Sequence, residues 1–186
     1  MLTVGITGGI GSGKTTICQI FSQLGIPVYY ADDEAKLLYE LPQVKEWIKK
    51  EFGEEILDKK GRVDKKKLAG LVFNDEKSLK ILNEFIHPLV VDHFNQWKQK
   101  QNTPYILKEA AILFESGTNN DCDKVILVTA PAEKRLERIL LRDSRSREEV
   151  ESIISKQWPE DKKAKLSDFI ISNDETQLVI PQVLDI

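Results

Sequence analysis

Histidine, cysteine and methionine are scarce in this sequence. It holds two cysteines, Cys18 and Cys122, two histidines, His87 and His93, and one methionine in 186 residues. The cysteines lie far apart and form no C-x-x-C pair, so two reduced thiols in a cytoplasmic protein are expected rather than a disulfide. The histidines have no metal-ligand spacing, which argues against zinc. No apolar stretch approaches the ~20 residues that a membrane-spanning helix needs. The start Met1-Leu2-Thr3-Val4-Gly5 lacks the basic and long apolar regions of a signal peptide. Excess charge of one sign is missing too: 27 Lys and Arg against 30 Asp and Glu leave a net charge of -3. Nucleic-acid binding favours a strongly basic face, so no such partner is expected, and no membrane partner either. Internal repeats and low-complexity segments are absent. A chain of this length suits one domain with small insertions. It can bury a core without disulfides or structural metal.

What is present is an alternation of short apolar runs and helical periodicities. Leu2–Thr7 is short and partly β-branched and runs into a glycine-rich segment, as a buried parallel strand does before a tight loop. Ile17, Ile20, Phe21 and Leu24 follow at helical spacing, and Gly25 ends that helix. Pro27–Tyr30 reads as a second strand, ending at Asp32-Asp33 and lying beside the first in the sheet. From there to about Gln101 the pattern is helical and highly charged. Apolar faces are marked by Val44, Trp47, Ile48 and Phe52, by Leu68, Leu71, Val72 and Phe73, and by Leu79, Leu82, Phe85 and Ile86. Gly61 and Asn74-Asp75 are turn signals, and a further helix is expected after Pro88. Strand patterns return at Tyr105–Lys108, Val125–Thr129 and Phe169–Ser172, with helical runs at Pro131–Arg142 and Arg147–Trp158. Strands alternating with helices predict an α/β fold: a parallel sheet with helices on both faces, three layers in all. The expected organisation is a core of residues 1–32 and 104–186, with a helical insertion at 33–103 that covers a site and a helical lid at about 138–163.

Gly8-Gly9-Ile10-Gly11-Ser12-Gly13-Lys14-Thr15 fits the phosphate-loop pattern G-x-x-x-x-G-K-[ST] in full, after a strand and opening a helix. Glycines let backbone N–H groups curl around an anion. The helix N-terminus adds donors and partial positive charge. Lys14 is expected to reach the β- and γ-phosphates of ATP, and the Thr15 hydroxyl to bind Mg²⁺. No base-reading N-K-x-D of a GTPase occurs. The D-x-x-G spelled by Asp58–Gly61 lies in a polar turn rather than after a buried strand. A small-molecule kinase is the reading that remains.

Asp32, at the carboxyl end of a strand, is placed to accept the proton of an acceptor hydroxyl, with Asp33 as the alternative base. Either could instead cap the next helix. Glu109 ends the third strand and could hold Mg²⁺ through water, touch the acceptor, or be a solvated strand end. Arg135, Arg138 and Arg142 share one helical face, and Arg145 and Arg147 follow in a polar turn. One of them is expected to neutralise the transferring phosphoryl group, Arg142 first, although a solvated face paired with Glu133 and Glu137 is the plainer account. His87, before Pro88, reads as a helix-starting residue. Trp47, Trp97 and Trp158 read as packing residues.

The segment Val4–Thr16, with its T-G-G-I-G-S-G-K core, resembles the opening of dephospho-coenzyme A kinases. Further features follow in that family's order. Ala31-Asp32 falls at its D-A-D, and Ile86-His87-Pro88 resembles its I-H-P. Ile112-Leu113-Phe114-Glu115 resembles its P-L-L-F-E. Arg142-Asp143, Arg147 and Gln157-Trp158-Pro159 resemble its R-D…R…Q-M-P lid, and Asp168–Asn173 its closing D-x-x-I-x-N. Tyr30, Ala111 and Lys65 depart from that pattern, where the family has Asp, Pro and often Arg. The resemblance implies a nucleoside monophosphate kinase-like fold. It also implies transfer of phosphate from MgATP to the ribose 3′-hydroxyl of dephospho-coenzyme A, the last step of coenzyme A synthesis. By matched position, Asp32 would be the base, and Arg142 would face the ATP phosphates bound along Gly8–Thr16. Asn173 would sit near the adenine, and His87, Leu113, Phe114 and Glu115 near the acceptor. The resemblance leaves a monomer or a small homo-oligomer open. Members of that family usually run somewhat past the position of Ile186, so a further terminal helix is expected. A nucleoside or nucleotide kinase of similar fold is the alternative enzyme, and an ATP-binding regulatory protein the alternative class.

Overall fold

A computed structural model describes residues 1–73, 75–143 and 146–186. The expectations placed on Asn74 and Arg145 lie outside them. The chain forms two compact units, one of residues 1–31 and 101–186, the other of residues 32–100.

The first unit is built on a five-stranded, wholly parallel sheet: β1 (Leu2–Thr7), β2 (Val28–Tyr30), β3 (Tyr105–Glu109), β4 (Lys124–Thr129) and β5 (Phe169–Ser172). The order across the sheet is β2-β3-β1-β4-β5. This corrects the expectation that the second strand borders the first. β3 lies between them, pairing Val4 with Leu107 on one side and Val28 with Leu107 on the other. Side chains alternate across each strand. Val4 and Ile6 therefore face one layer with Ile17, Cys18 and Phe21 of α1 (Lys14–Gln23). Gly5 faces the other, where an added Cβ would meet Leu113 Cδ2 at 2.7 Å and Cys122 Sγ at 2.9 Å. That second layer is a smaller cluster of Ala110, Leu113, Phe114 and Val125, with Trp158 packed on it.

Among the described residues three helices, not two, lie between β4 and β5. They are α6 (Ala132–Arg142), α7 (Arg147–Ser155), opened by a Ser146/Glu149 capping box, and α8 (Glu160–Lys165). A final helix, α9 (Val179–Leu184), returns Val183 to the first layer.

The second unit contains α2 (Ala31–Leu38), α3 (Pro42–Phe52), α4 (Lys65–Phe73) and α5 (Glu76–Gln99). Its core gathers Val44, Ile48, Ile56, Leu68, Leu82 and Ile86. The Trp47 and Phe85 rings stack at 3.9 Å, as expected of a packing tryptophan. Two expectations are corrected here. α5 runs unbroken through Pro88, so His87 sits in mid-helix rather than at a helix start. Asp75 caps it instead, accepting the Lys77 and Ser78 N–H groups. β2 stops at Tyr30, so Asp32 and Asp33 lie in the first turn of α2 instead of ending a strand.

Candidate active site

Between β1 and α1 the glycines bend the chain into a cradle. Gly13 has a left-handed backbone (φ 93°, ψ 19°), and a Cβ there would collide with Asn173 Nδ2. Lys14 Nζ donates to the Gly8 carbonyl at 2.8 Å, folding the lysine back along the loop. Asn173, just after β5, donates Nδ2–H to the Ser12 carbonyl at 2.9 Å. Ile10 donates its backbone N–H to Gln157 Oε1 at 3.0 Å. The buried Arg135 guanidinium packs against Gly9, where no Cβ would fit. The loop is thus held from three directions, and it leads directly into the N-terminus of α1, the end of a helix that favours anions.

A cavity of about 360 Å³ opens beside this loop, and Lys14, Thr15, Glu109, Arg138, Arg142 and Gln157 are among its walls. Glu109 stands at the carboxyl end of β3, level with Ile6 of β1 and Tyr30 of β2. Its charge is felt at α1: burial first, and then the Glu109 carboxylate, push the Cys18 thiol up to about 12, against the pull of Lys14. The exposed Thr15 hydroxyl and the Glu109 carboxylate are both oxygen donors, the class that Mg²⁺ takes beside phosphate and water. No cluster of three or more His, Cys, Asp and Glu suited to a metal occurs among the described residues.

The three arginines of α6 have different surroundings. Arg135 is buried under the loop. Arg138 donates to the Asn173 carbonyl and to Glu175, both at 3.0 Å. Glu175 is held in a left-handed conformation (φ 70°) and also pairs with Lys134 at 2.9 Å. Arg142 is 66% exposed, and its guanidinium is forked onto Asp143 at 2.8 and 3.1 Å. Arg147 pairs with Glu151 one turn along α7.

A family model described as dephospho-CoA kinase matches residues 2–178. This chain belongs to the dephospho-CoA kinase family. Membership makes it an ATP-dependent kinase of coenzyme A biosynthesis. The curated dephospho-CoA kinase of Fusobacterium nucleatum is 39% identical over 174 residues, covering 94% of this chain and 90% of that one. The Bacteroides fragilis dephospho-CoA kinase is 37% identical, covering all of this chain and 91% of its own. Among solved structures, a Thermus thermophilus protein superposes with a TM-score of 0.91 at 33% identity, covering 99% of this chain and 94% of its own. A Campylobacter jejuni dephospho-CoA kinase superposes at 0.70 and 29%, covering 98% and 94%. A shikimate kinase from Acinetobacter baumannii, at 0.54 and 13%, shares the fold alone.

The features that this dephospho-CoA kinase family member shares with the expected pattern fall at several places. Leu113 and Phe114 are buried in the second layer. Glu115 accepts the Trp158 N–H at 2.8 Å and pairs with the fully buried Lys163 at 2.7 Å. Burial raises the Glu115 carboxyl, but Lys163 and the Trp158 N–H outweigh it, and the group titrates below the ordinary range. In the second unit, Asp32 and His87 are exposed, and Asp33 is engaged with Lys36 at 2.7 Å. Three contacts at the site have no local signature in the sequence. They are Arg135 under Gly9, Gln157 on Ile10, and Lys163 on Glu115. Lys163 sits in the run Lys162-Lys163-Ala164-Lys165, which looks like a solvated face. No helix among the described residues is long and apolar enough to cross a membrane.

Proposed function

We propose that this member of the dephospho-CoA kinase family moves the γ-phosphoryl group of ATP onto the ribose 3′-hydroxyl of dephospho-coenzyme A. The observation that carries the reading is the cradle Gly8–Thr16, opening on a cavity walled by Lys14, Thr15, Glu109, Arg138 and Arg142. Such a cavity is built for a polyphosphate. Backbone amides of the loop and of α1 bind the β- and γ-phosphates, and Lys14 spans the two. The Thr15 hydroxyl, with the Glu109 carboxylate close by, would hold Mg²⁺, which would supply neutralisation of phosphate charge. Asn173, tied to Ser12, borders the nucleotide on its adenine side. Arg142 leaves Asp143 for the phosphates as residues 138–163 close over them, excluding water from the phosphoryl group.

Residues 33–103, with His87, and the segment Leu113–Glu115 serve the acceptor. Asp32 takes the proton from the 3′-hydroxyl, whose oxygen attacks the γ-phosphorus as its bond to the β,γ-bridging oxygen breaks and ADP leaves. The protein works in the cytoplasm as a monomer or small homo-oligomer, without nucleic-acid or membrane partners.

The test is coupled ADP release over a panel of acceptors. Rapid release with dephospho-coenzyme A alone is expected. Release with nucleosides or nucleotides instead would mark a nucleotide kinase, and release with none would overturn the reading. Asp32→Asn is expected to lower kcat by about 10²–10⁴-fold. If Asp33→Asn alone did so, the base is misassigned.

A further inference from the structure

Gln157 lines the phosphate cavity and falls in the lid, yet none of the roles above gives its side chain a contact with the nucleotide. It lies between α7 and α8, and its side chain reaches back to the loop, where Oε1 accepts the Ile10 N–H at 3.0 Å. A backbone N–H can only donate, so the oxygen of this carboxamide is committed to the loop and the NH₂ group is turned away from it. That NH₂ group has no protein partner among the described residues.

The residue is also held in place from its own backbone. Its N–H donates to the Ile154 carbonyl at 3.1 Å, and the next N–H, of Trp158, donates to Glu115 at 2.8 Å. Glu115 is in turn anchored by Lys163, and the Trp158 ring lies parallel to that of Phe114 at 6.4 Å. Because the side chain is tied to the loop itself, the donor keeps its place beside the loop as the rest of residues 138–163 moves, and a fixed donor is what electrostatic catalysis requires. Ile10 stands four positions before Lys14, the first residue of α1. If the first amides of α1 take the β-phosphate, a group fastened at Ile10 borders the terminal one.

We propose that Gln157 is a catalytic residue whose Nε2–H donates to an oxygen of the terminal phosphoryl group of bound ATP. In a loose transition state the charge spreads over the three equatorial oxygens of that group, and a fixed donor beside one of them lowers the barrier. The inference rests on ATP being the phosphoryl donor, as proposed above, but not on the identity of the acceptor.

The experiment compares Gln157→Glu with Gln157→Met. Glutamate keeps an oxygen for the Ile10 N–H and replaces the donor by a second, charged oxygen. Methionine keeps the length and offers neither. Calorimetry with MgADP and with a non-hydrolysable MgATP analogue reads binding without any acceptor. With Gln157→Glu, analogue affinity is expected to fall at least about tenfold. MgADP, which lacks the terminal group, is expected to stay within about threefold. Turnover is expected to fall about 10²–10³-fold. Gln157→Met is expected to fall less, having no repulsion. If Gln157 only shapes the loop, the order reverses: glutamate stays near the parent and methionine is impaired. That order, or equal losses for both nucleotides, overturns the inference. A parent protein that bound both nucleotides but phosphorylated a different acceptor would revise the proposed function and leave this inference standing.

Discussion

Asn173 donates its side-chain N–H to the Ser12 carbonyl at 2.9 Å, a bond between residues 161 positions apart. It fastens the end of β5 to the phosphate loop beside Gly13, whose left-handed backbone leaves only a hydrogen where a methyl would strike that same amide. Gly13→Ala is expected to destabilise the fold by about 1–2 kcal/mol through backbone strain alone. It should also weaken MgATP binding by pushing the Asn173 amide off Ser12. In an Asn173→Ala background the same substitution should cost less, because the colliding group has gone. A double-mutant cycle read by urea melts and nucleotide calorimetry checks the coupling.

Glu115 and Lys163 form a buried pair, 12% and 2% exposed. Lys163→Met leaves an uncompensated carboxylate, and a loss of about 3–5 kcal/mol is expected. The double variant Glu115→Leu/Lys163→Met should recover much of it, since apolar replacement of a buried pair is often neutral. Urea denaturation of the three proteins decides the matter.

The same carboxylate sets a pH dependence. Its folded-state pKa lies below its unfolded value, so protonation favours the unfolded chain. Its contribution is present above the ordinary carboxylate range and is lost as pH falls through the folded-state value. Between pH 6 and about pH 3 the parent should therefore lose more stability than the apolar double variant. Parallel slopes in thermal melts across that range would contradict this.

The two thiols should react very differently. Cys18 is fully buried, with its pKa pushed to about 12, whereas Cys122 is only half-buried. The thiolate is the reactive form. Native protein treated with a thiol reagent at neutral pH should modify Cys122 and leave Cys18 intact until denaturant is added. Peptide mapping identifies the labelled residue.

Pro88 interrupts the ladder of α5 without ending the helix. It has no N–H for the Glu84 carbonyl, a loss worth about 3 kcal/mol in an ideal helix interior. Here the position is exposed and the carbonyl can be hydrated. Pro88→Ala is accordingly expected to gain about 1 kcal/mol, seen as a higher urea midpoint.

These particulars show where the sequence was legible. β1, the loop and the start of α1 follow from a run of adjacent residues, each with a local conformational reason, and they are found where expected. β3 slips between β2 and β1 because strand order depends on contacts between distant segments, about which periodicity says nothing. Pro88 looked like punctuation because local rules price its missing N–H. They do not price the burial of Leu82, Ile86 and Phe94 on the two sides of it. Asp32 looked like a strand end because an apolar run stops there, but the helical first turn already includes it. At the site, the loop was readable, but its supports were not. Arg135, Gln157 and Lys163 reach their partners only after α6 and α8 have packed onto the sheet, and each stands among similar charged or polar neighbours.

The strand order has one more outcome. The chain departs from the end of β2 and comes back into β3, and these two strands are hydrogen-bonded neighbours. The two strands run parallel, with Tyr30 level with Glu109, so the chain must cross back along the sheet to enter β3 at Tyr105, and the separation of the two ends is fixed by the sheet whatever lies between. Loop-closure entropy grows only logarithmically with the length inserted. The helices from α2 to α5 can thus be lengthened, shortened or exchanged in evolution without a change of register in β1 and without disturbing the loop that follows it.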